Sequence, residues 1–421
     1  MSETVHIPQL RFPEFSGDWN RVKIQKLLDD KSIISHLDGN HGALYPRSEE
    51  FTKEGVPYVT ANDFINGKVD LKKCKCLPVE RASQFKKGIA HNGDVLFAHN
   101  ATVGPVALLE TDLEYVVLST TATYYRCDNN TLINKYLKVY LTSNDFVRQY
   151  SRVMSQSTRN QVPITTQRLF YINLPDKPEQ QKIAAFLTAV DNKIEQLIKK
   201  QELLGEYKKG LMQQIFSQAI RFKADDGSDF PNWEEKKLGD VVSTPVSDGP
   251  HLTPKFVKQG VPFLSVNNLV ESKIDFSNVR YISIDDHLVF SKKCKPKKGD
   301  VLLGKAASVG KVAFVETDVE FNIWSPIAMI RPGNSNFSKY IYYCFQTRFI
   351  LNQISKFTNS SSQGNIGMGD INKIIIKLPN KLEQTKIANL LSSIDSKIEQ
   401  VGKQLRESKQ FKKALLQQMF V

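Results

Sequence analysis

With 421 residues, 41% of them hydrophobic and 10% aromatic, the chain exceeds one ordinary domain and can build real cores, so wholesale disorder is excluded. No window nears the roughly 18 consecutive apolar residues of a membrane helix, and five cysteines are too few for a secreted disulfide scaffold. Lysine and arginine number 57 against 44 acids, a net charge of +13, which points to a polyanionic partner, nucleic acid first.

The opening Met1–Pro8 carries an early acid and a proline and lacks an apolar core, so it does not read as a signal peptide. With the odd cysteine count, a reduced cytoplasmic setting is expected. Further along, Gly93-Asp94 reads as a turn entering a buried strand at Val95–Ala98, and Val106–Leu109 as the next strand. Residues 135–141 have denser apolar spacing and predict a helix.

From Leu174-Pro175 a long helix is expected. Proline stops the preceding strand, and Pro178-Glu179 suits a first turn, where no N–H is needed and an acid meets the positive dipole end. Ile183, Leu187, Val190, Ile194, Leu197 and Leu204 follow at alternating spacings of four and three, with Gln201 in one seam position. That stripe faces a single partner helix, and forty helical residues would span about 60 Å.

The chain is then written a second time. Residues 174–216 aligned on 378–420 without a gap share 21 identities in 43 positions. The second seam is Ile387, Leu391, Ile394, Ile398, Val401 and Leu405. Upstream, Gly299-Asp300, the strand at Val312–Val315, the helix at 339–345 and the closing strand at 373–378 repeat the first copy more loosely. Asp38-Gly39-Asn40-His41 answers Asp248-Gly249-Pro250-His251, and Trp19 answers Trp233. The simpler alternative, that each helix only covers its own globular part, is disfavoured by the narrow stripe and the charged residues around it. The two helices are expected to pair antiparallel.

Motifs of catalysis are scarce. There is no G-x-x-x-x-G-K-[ST] phosphate cradle, no Asn or Asp before a Pro-Pro-aromatic box, and no His-Glu-x-x-His. Cys74-x-Cys76 has no second ligand pair and reads as two ordinary thiols. Asp176 with Glu179-x-x-Lys182 resembles a nuclease carboxylate cluster only faintly, and the helix start accounts for those residues better.

The basic clusters are better placed. Lys72, Lys73, Lys75, Arg81, Lys86 and Lys87 precede one Gly-Asp turn; Lys292, Lys293, Lys295, Lys297 and Lys298 precede the other. A lysine run is usually a solvated face, but its recurrence in both copies makes these the expected phosphate contacts. Base edges are read by amides, hydroxyls and arginine on loops or helix ends. The candidates are Ser157, Thr158, Arg159, Asn160 and Gln161 in the first copy, and Ser361, Ser362, Gln363 and Asn365 in the second, with Asn40, His41 and His251 on the Asp-Gly turns.

Leu174-Pro175 through Gln214, its copy Leu378-Pro379 through Gln418, and the opening Arg11–Trp19 together resemble the specificity subunit of type I restriction-modification systems, over essentially the whole chain. The resemblance implies an α/β fold: two pseudo-repeated target-recognition domains separated by two long helices that pair as an antiparallel coiled coil. The expected boundaries are 1–173, 174–220, 221–377 and 378–421. It further implies a non-catalytic subunit reading a bipartite, asymmetric site on double-stranded DNA. Two modification (adenine methyltransferase) subunits and two ATP-dependent restriction subunits are the implied partners, with no membrane. S-adenosylmethionine and ATP with magnesium would sit on those partners and none in this chain. Because the chain stops just after the second helix, the segment before Trp19 is expected to complete that end. The rival readings are a self-contained DNA-modifying or DNA-cleaving enzyme, tested by incubating the chain with DNA and S-adenosylmethionine, and a coiled-coil scaffold without DNA specificity.

Overall fold

The computed structural model describes residues 7–39, 45–156, 159–359 and 364–420. The chain divides into two compact units, residues 1–200 with 401–421, and residues 201–400.

In the first unit a six-stranded sheet runs in the order Ile33–Asp38, Ala122–Cys127, Val95–Asn100, Thr102–Leu108, Lys68–Val69, Phe64–Ile65. The first four strands pair antiparallel. Val95–Ala98 is buried throughout, as a strand covered on both faces should be. A smaller four-stranded sheet carries Lys75–Leu77, Val56–Val59, Val116–Leu118 and Ile89–Ala90. The helix Asn134–Tyr140 lays Tyr136, Leu137 and Tyr140 into the main core. The turn at Gly93 has a φ of 88°, which only glycine adopts without strain. Asp94 behind it takes two bonds from Arg126, at 2.9 and 2.8 Å.

The second unit repeats this plan in shortened form. Its four-stranded sheet is Ser247–Asp248, Ile327–Ile330, Val301–Gly304, Val312–Phe314, and its smaller sheet is Arg280–Ile282, Val261–Leu264, Asn322–Ile323. Gly299 has a φ of 94°. Asp300 is gripped by Arg331 at 2.8 and 2.7 Å, as Asp94 is by Arg126.

Two long helices, Lys177–Phe216 and Lys381–Gln418, occur where the spacing predicts them. In the first unit the early part of the first helix meets the late part of the second. Ile183, Ala184 and Leu187 share one core with Leu415, Met419 and Phe420, and Lys412 bonds Asp191 at 2.5 Å. In the second unit Met212 and Ile215 share a core with Ile387, Ala388 and Leu391, and Lys208 bonds Asp395 at 2.7 Å. The helices therefore pack on one another and on the globular parts at once, and the two alternatives weighed from sequence are both partly realised. Leu197, Ile394, Val401 and Leu405 are buried, while Val190, Ile194, Leu204 and Ile398 are half-buried.

The Glu-Gln pair at each helix start is a structural clamp. Glu179, almost fully buried, accepts from Arg11 Nε and Nη2 at 2.8 Å and from Trp19 Nε1 at 3.2 Å. Gln180 accepts from the Ile133 N–H at 3.0 Å and donates to the Pro175 carbonyl at 3.0 Å. In the second unit Glu383 accepts from Arg221 and Trp233, and Gln384 serves Phe337 and Pro379. Trp19 also packs edge-on against Phe420, and the Leu10 N–H bonds the Gln418 carbonyl at 2.9 Å, so the opening segment does meet the end of the second helix.

Candidate nucleic-acid interface

In the first unit the described residues that border the two stretches singled out as base readers lie at the same end of the main sheet. Asp38 stands opposite Thr123, which stands opposite Phe97. Beyond that row the His99 N–H bonds the Thr121 carbonyl, and Asn100 bridges to Gln161. Gly39 is forced by close approach, since a Cβ there would overlap the Ser119 carbonyl oxygen. Asn40, His41, Ser157 and Thr158 lie outside the described residues. Arg159 and Asn160 are exposed, and the Asn160 amide donates to the Ala101 carbonyl at 2.7 Å, anchoring its loop to the strand hairpin.

Beneath that loop sits a residue the sequence did not flag. The buried Gln167 Oε1 accepts from Tyr125 Oη at 2.7 Å, Thr123 Oγ1 at 3.1 Å and His36 Nε2 at 3.2 Å, while its Nε2 donates to the Val162 carbonyl at 2.9 Å. Val162 in turn donates its N–H to the His99 carbonyl. His36 stacks on Tyr125 with centroids 4.2 Å apart, and burial pushes its pKa down to about 3. This polar knot fixes the base of the loop. No sequence motif announces it, because its members come from four separate segments.

The first basic cluster divides. Gly88 lies against Gly39, and Lys87 is 3.9 Å from Asp38, so Lys86 and Lys87 flank the Asp-Gly turn. Lys73 instead pairs with Asp70 at 3.3 Å. Arg81 is held by Glu50 at 2.5 Å and Gln84 at 3.2 Å, and Lys75 lies over the Phe51 ring. Lys72 and Lys86 are exposed and make no ion pair among the described residues.

The second unit gathers the same parts. A Cβ on Gly249 would overlap the Ile323 carbonyl oxygen. Burial raises the pKa of Asp248, but bonds from Lys293 at 2.5 Å and Lys305 at 3.1 Å outweigh it and hold the carboxyl below its ordinary value. His251 is exposed, 3.5 Å from the same carboxylate. The Ile366 N–H bonds the Lys305 carbonyl at 2.9 Å, which brings half-buried Asn365 to this end of the sheet. Ser361, Ser362 and Gln363 lie outside the described residues. Of the lysines, Lys295 pairs with Glu320 at 2.5 Å and Lys298 with Asp318 at 2.9 Å. Lys292 and Lys297 are exposed without an ion pair among the described residues. Lys305 was missed from sequence because it stands outside the run.

The type I restriction modification DNA specificity domain matches this chain twice, over residues 34–204 and 231–407. The chain belongs to that family. It is the specificity subunit of a type I restriction-modification system, the part that recognises DNA sequence. The MjaVIII specificity subunit of Methanocaldococcus jannaschii is 25% identical over 427 residues, covering 97% of this chain and 92% of the relative. The MjaIX specificity subunit of the same organism is 26% identical over 389 residues, with 87% and 86% covered. In fold, the chain is similar to the S subunit of the type I restriction-modification system from M. genitalium, with a TM-score of 0.62, 14% identity and 99% of both chains covered.

Two features of this specificity subunit that were weighed for chemistry lie in buried or half-buried surroundings. Glu179, the acid of the faint carboxylate cluster, is consumed by Arg11 and Trp19. Cys76 is buried and Cys74 half-buried, with burial pushing the Cys74 thiol up to about 12, which leaves little thiolate at neutral pH.

Proposed function

We propose that each unit reads one half of a bipartite, asymmetric DNA site, and that the helix pair sets the gap between the halves. The observation that carries this is the duplication of the site itself. Both units bring an Asp-Gly turn and a polar loop to the same end of a sheet, with lysines alongside. Lys72, Lys86, Lys87, Lys292 and Lys297 are the best placed to contact phosphates, which position DNA without reading it.

The subunit does no chemistry in this reading. Two modification subunits dock on the helices and supply S-adenosylmethionine and methyl transfer, and two restriction subunits add ATP-driven cleavage, all within the cytoplasm. Among the described residues no helix is long and apolar enough to cross a membrane.

The test is an exchange of residues 30–170 for the matching segment of a related subunit, with methylated positions mapped across a genome. One half-site should change and the other remain. A joint change in both half-sites would show one composite reading surface and end the proposal. Methyl transfer by the purified subunit alone would end the non-catalytic assignment.

A further inference from the structure

Arg280 presents its guanidinium on a platform of aromatic rings. It is exposed at the start of the strand Arg280–Ile282, opposite Phe263. Its guanidinium carbon lies 4.2 Å from the centroid of the Phe256 ring and 5.6 Å from that of Trp324. Its side chain makes no hydrogen bond or ion pair to any described residue. Arg126, Arg221 and Arg331, by contrast, are each locked on a carboxylate.

The stack stands beside the Asp-Gly turn. The Trp324 N–H bonds the Leu264 carbonyl, and the Ser325 N–H bonds the carbonyl of Pro250, the residue before His251. Stacking satisfies the face of the guanidinium and leaves its in-plane N–H donors for another partner. Two parallel donors on a rigid plane match the O6 and N7 acceptors of guanine in the major groove. Because the rings already order the side chain, little rotamer freedom is lost on binding.

The first unit has a cation in the same slot. Lys75, exposed and opposite Tyr58, lies 5.2 Å from the centroid of Phe51, as Arg280 lies over Phe256. Where the repeat needs a structural arginine it keeps one, at Arg126 and Arg331. In this slot it keeps the charge and the ring but changes the residue, as two readers of different half-sites would.

We propose that Arg280 is a base-reading residue of the second unit, selecting a guanine in one half-site. This rests on the reading of each unit as a half-site reader.

The experiment uses the subunit assembled with its methyltransferase subunits, and measures methylation across a library randomised in both half-sites. The native complex should demand guanine at a position that Arg280→Ala relaxes by roughly 5- to 150-fold, the other half-site being unaffected. Arg280→Gln should lose the same preference, and serves if the alanine variant fails to assemble. Phe256→Leu, which keeps the arginine but removes its platform, should weaken the preference partway. An intact guanine preference in Arg280→Gln, or a uniform loss across all sequences with the salt slope lowered by about one, would overturn the proposal in favour of a phosphate contact or none. A native complex with no sequence preference would instead overturn the half-site reading beneath it.

Discussion

At the scale of single residues, the loop proposed to read bases in the first unit rests on buried polar groups. His36 is neutral in the folded state because burial holds its pKa near 3. Unfolded, it titrates near 6.5. The unfolded chain therefore gains a proton that the folded one refuses, and stability present above pH 6.5 falls as the pH drops towards the folded value. By pH 5 the loss approaches about 2 kcal/mol as an upper figure. His36→Phe should keep the stack on Tyr125 and flatten the fall of melting temperature between pH 7 and 5. An equally steep fall in that variant would place the acid sensitivity elsewhere. Reading the sequence located the Asp-Gly turns and the polar loops, because glycine, amides and hydroxyls mark loops by themselves. It missed Gln167 and Arg280, which look ordinary until segments far apart in sequence surround them.

Elements came through more clearly than their reasons. The four-and-three spacing places both long helices within a few residues, since one apolar stripe has few other uses. Glu179, read as an acid at a dipole end, does stand in the first turn, but it is also a buried acceptor for an arginine and a tryptophan, as is its counterpart Glu383. Those partners lie 150 or more residues away, so local patterning could not reveal them. The lysine run 292–298 was legible as charge, but not that Asp248, Asp318 and Glu320 would take up several of its members. Glu179→Gln should destabilise the first unit by about 2–4 kcal/mol, because Arg11 keeps its charge and loses its buried partner. Thermal unfolding of the purified subunit would register this, while the methylated sequence should not change. Unaltered unfolding with methylation abolished would mean that the carboxylate takes part in chemistry.

On the scale of the whole molecule, each compact unit holds part of both long helices, and this changes how the gap between half-sites can be tested. Lengthening the first helix alone would break the registers that Asp191 with Lys412 and Lys208 with Asp395 mark. Matched insertions in both helices preserve them. Seven residues added after Lys200 and seven after Gln400 would keep the apolar seam in phase. They would lengthen the pair by about 10 Å at 1.5 Å per residue, or about three base pairs at 3.4 Å each. The decisive measurement is the methylated motif in cells carrying the doubly extended subunit. Two unchanged half-sites separated by about three more base pairs is the expected result; an active complex with the original gap would contradict the helix pair's role as the spacer.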